Sequence, residues 1–429
     1  MKTQEVQHQK GTGREIAGLP TVQEKFSPLL EGRDYTLIDR NNDVVCSRPL
    51  PEFFVFLNPS QGTEDRQVKA PHWRTVAEPV SRCGVKLRQE VDGQWVDYYE
   101  PYFEVSVKGV GFLQPSVKER KWDEEDTWLK ADEPEHDFGY KHLGLSSRLE
   151  YELQRVIPTS RFLASAGLRT EAYWAVAKLN NVYFKGELTS IEELRKQKVI
   201  LSRKDYQPAM GVRLLKDNDR IEEARYADDR RSEIFQKAFE VFNREIQERQ
   251  LNIDPINPAD KEDQRRFFST FVERMGTNIA VLLNTGYIHF RLHSSNITMA
   301  AELVDIGTAS HWRADPDPQL CKEYNGVRRG HLKDMRDSVR SIKKLIISAK
   351  VAGLKVGKKE ALELAFLKGF DEAIKPDFVK RIQQTDVESA RKWLQAIFHR
   401  MIAEGASLPS LLGDLDSTRI EQEWGIEIK

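Results

Sequence analysis

Two short stretches predict the fold of this chain: YIHFRLHSSN at Tyr287–Asn296, and the tripeptide Asp305-Ile306-Gly307, which begins nine residues after Asn296. The amide oxygen of Asn296 and the carboxylate of Asp305, completed by phosphates and water, suit octahedral magnesium. Alone, such a pair is weak evidence, because most isolated Asn and Asp residues cap helices or shape turns. The residues around the pair strengthen the metal interpretation by their spacing.

The same segment resembles the catalytic loop of protein kinases, where H-x-D-L-x-x-x-N precedes D-x-G. The residues that fall in register are His289, Leu292, Asn296, Asp305 and Gly307. Arg291 stands where kinases have the Asp that orients or deprotonates the acceptor hydroxyl. Because arginine stays protonated in proteins, it cannot accept that proton. An ordinary kinase mechanism is therefore disfavoured.

Upstream, residues 85–90 and 98–109 alternate apolar and polar side chains on either side of an Asp92-Gly93 turn, which predicts a β-hairpin. On its second strand Val105 and Val107 share one face, so Lys108 projects from the other. Glu150 follows in a predicted helix, and kinases pair a strand lysine with a helix glutamate to hold the α- and β-phosphates.

Two glycines, Gly109 and Gly111, follow the lysine directly. Their small size allows backbone amides to approach a phosphate closely. Each element also has a plainer interpretation as a solvated strand lysine, an exposed helix glutamate or a hairpin end. Their joint occurrence in kinase order favours the nucleotide site.

The second half of the chain has a helical period. Apolar residues recur at spacings of three and four, at Phe267, Phe271 and Met275 and again at Leu332, Met335, Val339, Ile342 and Ile346. We predict an α+β, protein-kinase-like fold with two lobes. A flexible tail occupies residues 1–20, a strand-rich N-lobe residues 21–215 and a helical C-lobe residues 216–429.

Composition bounds the class of protein. The 429 residues carry 66 basic and 67 acidic side chains, a balance that favours neither nucleic acid nor an anionic membrane as partner. A basic stretch at residues 328–359 is interrupted by acids and is interpreted as a solvated helix face. The three cysteines, at widely separated positions, predict neither a disulfide nor a thiolate metal site. With a polar start and no apolar segment of membrane-spanning length, we expect a cytoplasmic protein.

Several segments together resemble the selenoprotein O family, whose members carry ELQLKGAG, SSIREF, GIPTTRAL, VERTA, GFxHGVMNTDNMSI and DYG. The corresponding segments here are FEVSVKGVG (103–111), SSRLEY (146–151), IPTSRFL (157–163), VERM (272–275), GYIHFRLHSSNIT (286–298) and DIG (305–307). They occur in the same order over roughly residues 80 to 310.

The resemblance implies a pseudokinase that binds ATP in a flipped orientation and transfers AMP to protein hydroxyl groups. It implies that Lys108 and Glu150 form the ion pair that holds the nucleotide, and that Asn296 and Asp305 ligate Mg²⁺ or Mn²⁺. The family also grips the outward phosphates with two arginines seven residues apart. Arg203 and Arg213 are assigned to them here, although their separation is ten residues.

The chain departs from the family where the base is expected. The Asp of the NTDN motif is replaced by Ser295 and its first Asn by His293. A serine hydroxyl is a poor base, whereas a histidine titrates near neutrality and can substitute. No cysteine lies within residues 412–429, so redox control through the family's C-terminal cysteine or selenocysteine is not expected.

Three functions remain open. The leading one is a protein adenylyltransferase acting on Ser, Thr or Tyr hydroxyl groups. The second is an ATP-binding pseudokinase without turnover that serves as a regulatory or interaction module, which Ser295 favours. The third, a small-molecule kinase of the aminoglycoside phosphotransferase type, is weakened by Arg291.

Overall fold

The computed structural model describes residues 21–55, 64–72, 75–91, 93–109, 150–184, 187–197, 208–226, 230–306, 309–311, 327–375 and 387–403. The predicted tail, residues 1–20, lies outside them.

An antiparallel sheet dominates the first half of the chain. The described strands are β1 (Thr21–Pro28), β2 (Tyr35–Arg40), β3 (Val44–Cys46), β4 (Phe54–Val55), β5 (Glu64–His72), β6 (Thr75–Val91), β7 (Gln94–Lys108), β8 (Ala172–Leu179), β9 (Asn181–Phe184), β10 (Glu187–Ser190), β11 (Ala209–Leu215), β12 (Tyr287–Ile288) and β13 (Ser310–His311). The main sheet has the order β2-β8-β11-β7-β6-β5-β1-β4, and β3 pairs with β6. Strand β7 therefore lies inside the sheet.

Helices dominate the second half. They are α1 (Glu150–Ser165), α2 (Ile191–Lys196), α3 (Ile221–Tyr226), α4 (Arg231–Glu248), α5 (Lys261–Thr285), α6 (Val327–Val351), α7 (Lys359–Ala373) and α8 (Val387–Phe398), with a 3₁₀ turn at Ser294–Asn296 and a π-helical turn at His399–Ala403. A strand-rich lobe followed by a helical lobe confirms the predicted α+β, protein-kinase-like fold class.

The predicted hairpin is confirmed by β6 and β7, which pair from Val91 and Gln94 onward. Gly93 has a φ of 76°, a left-handed conformation that glycine adopts at no steric cost. Val105 and Val107 pack into the core of the strand-rich lobe. Lys108 projects from the opposite face, as the alternation of side chains predicts, and contacts Asp305 beyond the first lobe.

The predicted helical stripes are also confirmed. In α5, Phe267, Phe271 and Met275 are buried, and in α6 the buried residues are Met335, Val339, Ile342 and Ile346. Asp260 caps the start of α5 by accepting from two backbone amides, and Gly286 ends that helix with a φ of 71°.

Helices α5 and α7 approach closely at two glycines. A Cβ atom at Gly276 would meet the backbone carbonyl of Phe366, and one at Gly369 would meet the carbonyl of Glu273. Glycine at these two positions lets the backbones of the two helices pack directly against each other. This packing fixes α5, whose end leads into the candidate catalytic loop.

The prediction that no disulfide forms is wrong. Cys46 of β3 and Cys83 of β6 are disulfide-bonded and stand directly opposite each other across the strand pair. Spacing along the chain does not show such a pairing, because it depends on the register of β3 against β6. Because disulfides are rare in the cytosol, this bond gives no support to the expected cytoplasmic location.

Within the described part of the chain, no helix combines the length and apolar character that crossing a bilayer requires.

Candidate functional site

The candidate site forms where β7 meets the segment after the 3₁₀ turn. Lys108 Nζ and Asp305 Oδ1 form an ion pair between residues 197 positions apart. The Lys108 side chain is 8% exposed and that of Asp305 is 23% exposed. Asp305 has a φ of 62°, unfavourable for a residue with a side chain. Backbone strain of this kind concentrates at functional sites.

Arg213 lies beside this pair on the neighbouring strand β11. Its Nη1 is 2.6 Å from Glu171 Oε2 and 3.6 Å from Asp305 Oδ1. Burial, the largest single effect, opposes its ionised form, but Glu171, Tyr173 and Asp305 together outweigh burial and raise the pKa of Arg213. Glu171 also accepts a hydrogen bond of 3.1 Å from the backbone amide of Ile306. One carboxylate therefore holds both Arg213 and the residue after Asp305.

A second buried arginine, Arg220, was missed by sequence reasoning. It is 3% exposed, and its Nε and Nη1 atoms have no hydrogen-bond partner among the described residues. Burial and the nearby Arg213 lower the pKa of Arg220, whereas Glu223, Asp305 and Glu171 act in the opposite direction. A buried guanidinium without hydrogen-bonding partners is costly unless an anion compensates it.

Spacing could have identified Arg220. Arg213 and Arg220 are seven residues apart, the separation of the paired arginines in the selenoprotein O pattern.

Two of the predicted nucleotide-binding residues, Arg203 and Gly111, lie outside the described residues. The structure describes Gly109, which has a φ of 94°. Glu150 is the first residue of α1, but its side chain is not among those described, so the predicted pair with Lys108 stays a prediction.

His289 has a structural role at the start of the loop. It is fully buried, and burial lowers the pKa of its imidazole to about 4. Its Nε2 lies 2.8 Å from the carbonyl oxygen of Val304, so the neutral ring donates from that nitrogen. Its backbone amide donates to Asp334 Oδ2 over 2.7 Å. His289 thus connects the loop to the residue before Asp305.

The side chain of Asn296 is fixed by a hydrogen bond to the loop. Its Nδ2 donates to the carbonyl oxygen of Arg291 over 3.0 Å, which leaves the amide oxygen as the acceptor end of the side chain. No group of three or more His, Cys, Asp or Glu side chains in the described part of the chain is arranged to hold a metal. Two ligands, Asn296 and Asp305, fit a magnesium ion that also binds phosphates and water.

The residues proposed for catalysis lie at the open side of the loop. Ser295 is half-buried, and Arg291 and His293 are exposed. Partial loss of hydration lowers the pKa of His293, while the Asp305 carboxylate opposes this shift. A lowered pKa leaves the imidazole neutral and able to accept a proton at neutral pH.

Beneath the loop, Ser294 is anchored by two residues that sequence reasoning did not single out. Its hydroxyl donates to Glu222 Oε2 of α3 and accepts from Lys344 Nζ of α6 over 2.6 Å. Lys344 and Glu222 also form an ion pair of 2.9 Å. These contacts join the loop to two helices of the second lobe.

We expect Asp334→Asn to change how stability depends on pH. Burial raises the pKa of Asp334 to about 7, whereas an unfolded Asp titrates near 3.9. Between these values the folded state binds more protons than the unfolded state, so the contribution of Asp334 to the unfolding free energy falls as pH rises. Between about pH 5 and about pH 8, the free energy of unfolding of the variant should therefore rise relative to that of the wild type.

Urea unfolding at both pH values measures this difference. The exposed Asp254 supplies the matched control, since Asp254→Asn removes a carboxylate that is not buried. A difference for Asp334→Asn that stays constant with pH would contradict the expectation.

Comparisons with known proteins add little to this geometry. No family model and no curated protein matches the chain. Among solved structures, it is similar to WaaP in complex with acyl carrier protein, at 15% identity over 76% of this chain and 86% of that chain, with a TM-score of 0.27. ROP2 from Toxoplasma gondii, a virulence factor with a protein-kinase fold and no enzymatic activity, is 11% identical over 89% of this chain and 84% of that chain, with a TM-score of 0.30.

A Toxoplasma gondii rhoptry antigen kinase domain is 11% identical over 82% of this chain and 86% of that chain, with a TM-score of 0.28. At these TM-scores the likenesses carry no argument about activity.

Proposed function

We propose that the chain binds ATP with Mg²⁺ or Mn²⁺ and transfers the AMP moiety to Ser, Thr or Tyr hydroxyl groups of other proteins. The observation that carries the proposal is the meeting of Lys108 with Asp305, beside Arg213 and Arg220. An ammonium group, two guanidinium groups and a carboxylate are the groups that a triphosphate and its cation require.

In this proposal Lys108, Arg213 and Arg220 hold phosphate oxygens. Asn296 and Asp305 hold the divalent cation, which when bound neutralises charge on the phosphates. Lys108 then exchanges its pairing with Asp305 for contacts with phosphate. The unpartnered nitrogens of Arg220 support a phosphate contact, because an anion would compensate a charge that burial leaves costly.

The proposed reaction is a displacement at the α-phosphorus. The acceptor hydroxyl oxygen forms a bond to that phosphorus, and the bond from phosphorus to the oxygen bridging to the β-phosphate breaks. Pyrophosphate leaves with the electron pair, and the hydroxyl proton passes to a base. Ser295 stands where the family has its base carboxylate and is proposed to orient the acceptor by hydrogen bonding, while His293 is proposed to take the proton in place of that carboxylate, less efficiently. Transfer of the γ-phosphate by a kinase mechanism is disfavoured, because Arg291 at the kinase base position stays protonated.

A second candidate function is a nucleotide-binding pseudokinase that regulates a partner without turnover. Ser295 favours it, because a hydroxyl does not replace the carboxylate that a general base normally supplies. Both candidates require the same nucleotide contacts, so they differ in turnover and not in binding.

Label transfer from α- and γ-labelled ATP separates the candidates. Label from the α-position on protein supports adenylylation, and label from the γ-position supports a kinase. Nucleotide binding with neither label transferred supports the regulatory module.

We expect Lys108→Ala to weaken ATP binding about ten- to hundredfold, the loss typical of one charge-assisted contact. Asp305→Ala should weaken it similarly when Mg²⁺ is present but not in EDTA, because the carboxylate acts through the cation. Calorimetry with and without Mg²⁺ measures both effects. Lys86→Ala removes an exposed lysine of β6 and serves as the control. Unchanged affinity in Lys108→Ala would remove the basis of the site.

A further inference from the structure

Exposed basic side chains lie on the candidate loop and on the two helices that contact Ser294 of that loop. Arg225 on α3, Arg291 in the loop and Arg340 on α6 are exposed, and none of their guanidinium groups forms a salt bridge or hydrogen bond with a described residue. Arg225 lies over the ring of Tyr226, 5.0 Å from its centroid. With Lys344, whose side chain is 20% exposed, these residues are called the basic rim.

Contacts between their neighbours hold the members of the basic rim around the loop. The Ser341 hydroxyl lies 3.3 Å from the carbonyl oxygen of Leu292 and 2.8 Å from that of Asp337, which share its one proton. The residue after Arg340 therefore lies against the residue after Arg291. Lys344 donates to Ser294 Oγ over 2.6 Å, next to Ser295. The basic rim therefore adjoins the residue proposed to orient the acceptor.

Helix α3 completes the arrangement. Lys344 pairs with Glu222 over 2.9 Å, and Arg225 follows Glu222 by three residues, about one helical turn. Arg225 thus extends the positive charge from α6 onto α3.

Few carboxylates of the described part of the chain compensate the charge of the rim. The pKa of Lys344 is lowered first by burial, opposed by Glu222, and lowered further by the like charges of Arg225 and Arg340. Glu222 is already occupied by Lys344 and Ser294. The next carboxylate on α6, Asp337, is buried and paired with Lys333 and Arg336. Among the described residues, positive charge therefore reaches solvent on the loop and on the helices beside it.

We infer that the acceptor is a protein segment in which acidic residues flank the modified hydroxyl, and that the basic rim binds these residues. The inference rests on the proposed function and names its substrate class. It also gives Arg291 a role, since an arginine that cannot act as a base can still bind a carboxylate. An acidic protein fits better than nucleic acid, because the chain has a formal net charge of −1 and the rim is a local patch, not a basic face.

Binding and transfer should be measured separately with three peptides of equal length. Each carries one serine, flanked by glutamate, by glutamine or by lysine. Fluorescence anisotropy gives affinity at low and at high salt without requiring catalysis, and α-labelled ATP gives transfer. The proteins are the full chain as wild type, the double variant Arg225→Glu with Arg340→Glu, and the control Arg40→Glu, which reverses an exposed arginine of β2.

We expect the glutamate peptide to bind wild type at least tenfold more tightly than the lysine peptide at low salt, with the difference shrinking at high salt. The double variant should lose roughly tenfold in affinity for the glutamate peptide, and Arg40→Glu should lose little. A neutral pair, Arg225→Gln with Arg340→Gln, should give a smaller loss in the same direction.

Equal affinity for the three peptides, or an equal loss in the control, would overturn the inference. So would tighter binding of a single-stranded oligonucleotide of the same charge. Binding of the acidic peptide without α-label transfer would support the basic rim and contradict the proposed function. Transfer of the α-label without a preference among the peptides would support the proposed function and overturn the inference about the basic rim.

Discussion

Ser295→Asp should raise α-label transfer to protein by about 10² to 10⁴, the usual gain from a positioned general base. Ser295 is half-buried in the 3₁₀ turn that ends at Asn296, so a carboxylate there would directly precede the proposed cation ligand in the chain while keeping part of its surface open to an acceptor. The base acts on the hydroxyl in the transition state, whereas Asn296 and Asp305 hold the cation in the ground state as well. ATP affinity should therefore change much less than the rate.

The matched control is Ser295→Asn, which has the size of aspartate but accepts no proton at neutral pH. If both variants gained equally, the gain would come from shape and not from a base. A wild type as active as Ser295→Asp would show that another group takes the proton, and His293→Gln would then be expected to abolish transfer. An inert Ser295→Asp with stronger metal binding would mean that two adjacent carboxylates trap the cation or repel phosphate.

Local patterns predicted the parts of the site that depend on one strand or one helix. The turn before β7 and the alternation of its side chains place Lys108 on the correct face, and the loop spacing brings Asp305 into its register. These features follow from the alternation of apolar and polar residues along a strand or from short motifs, and both can be recognised directly in a sequence. They predicted the hairpin and the side of the sheet on which Lys108 lies, but not the charged residues that surround it.

The partners were missed because charged residues are normally exposed. The run Lys216–Arg220 has the composition of a solvated loop, yet all five of its residues are buried, between 0% and 3% exposed. Backbone amides of this run are bonded by Glu302 and Glu104, which lie far away in sequence. Its burial is a tertiary property that no local period displays. The same reason explains why Glu171, Arg220 and Asp334 were overlooked.

A buried ion network connects the two lobes behind the site, and Glu245 of α4 lies at its centre. Glu245 is fully buried and accepts from Arg169 over 2.5 and 2.6 Å. It also lies 2.9 Å from Arg274 Nη2 and 3.3 Å from Lys216 Nζ, and Lys216 pairs with Glu100 of β7 over 2.6 Å. One carboxylate thus joins α4, α5 and the end of the sheet.

We expect Glu245→Gln to lower the free energy of unfolding by about 3 to 5 kcal/mol, because it leaves buried positive charges without their carboxylate. Burial, the largest single effect, opposes ionisation of Glu245, but Arg169, Arg274 and Lys216 together outweigh burial, so the pKa of Glu245 lies well below its usual value. A depressed pKa stabilises the fold at pH values above the pKa of the unfolded state, near 4.3. This stabilisation is lost as the pH falls through the pKa of the folded state. The difference in unfolding free energy between wild type and Glu245→Gln should therefore become smaller in acid.

The control is Glu248→Gln on the same helix. The Glu248 side chain is 32% exposed and lies 3.7 Å from Arg244, so its loss should cost less than about 1 kcal/mol. Urea unfolding at neutral and acid pH measures all three proteins, and equal small losses in both variants would show that the network contributes little to holding the lobes together.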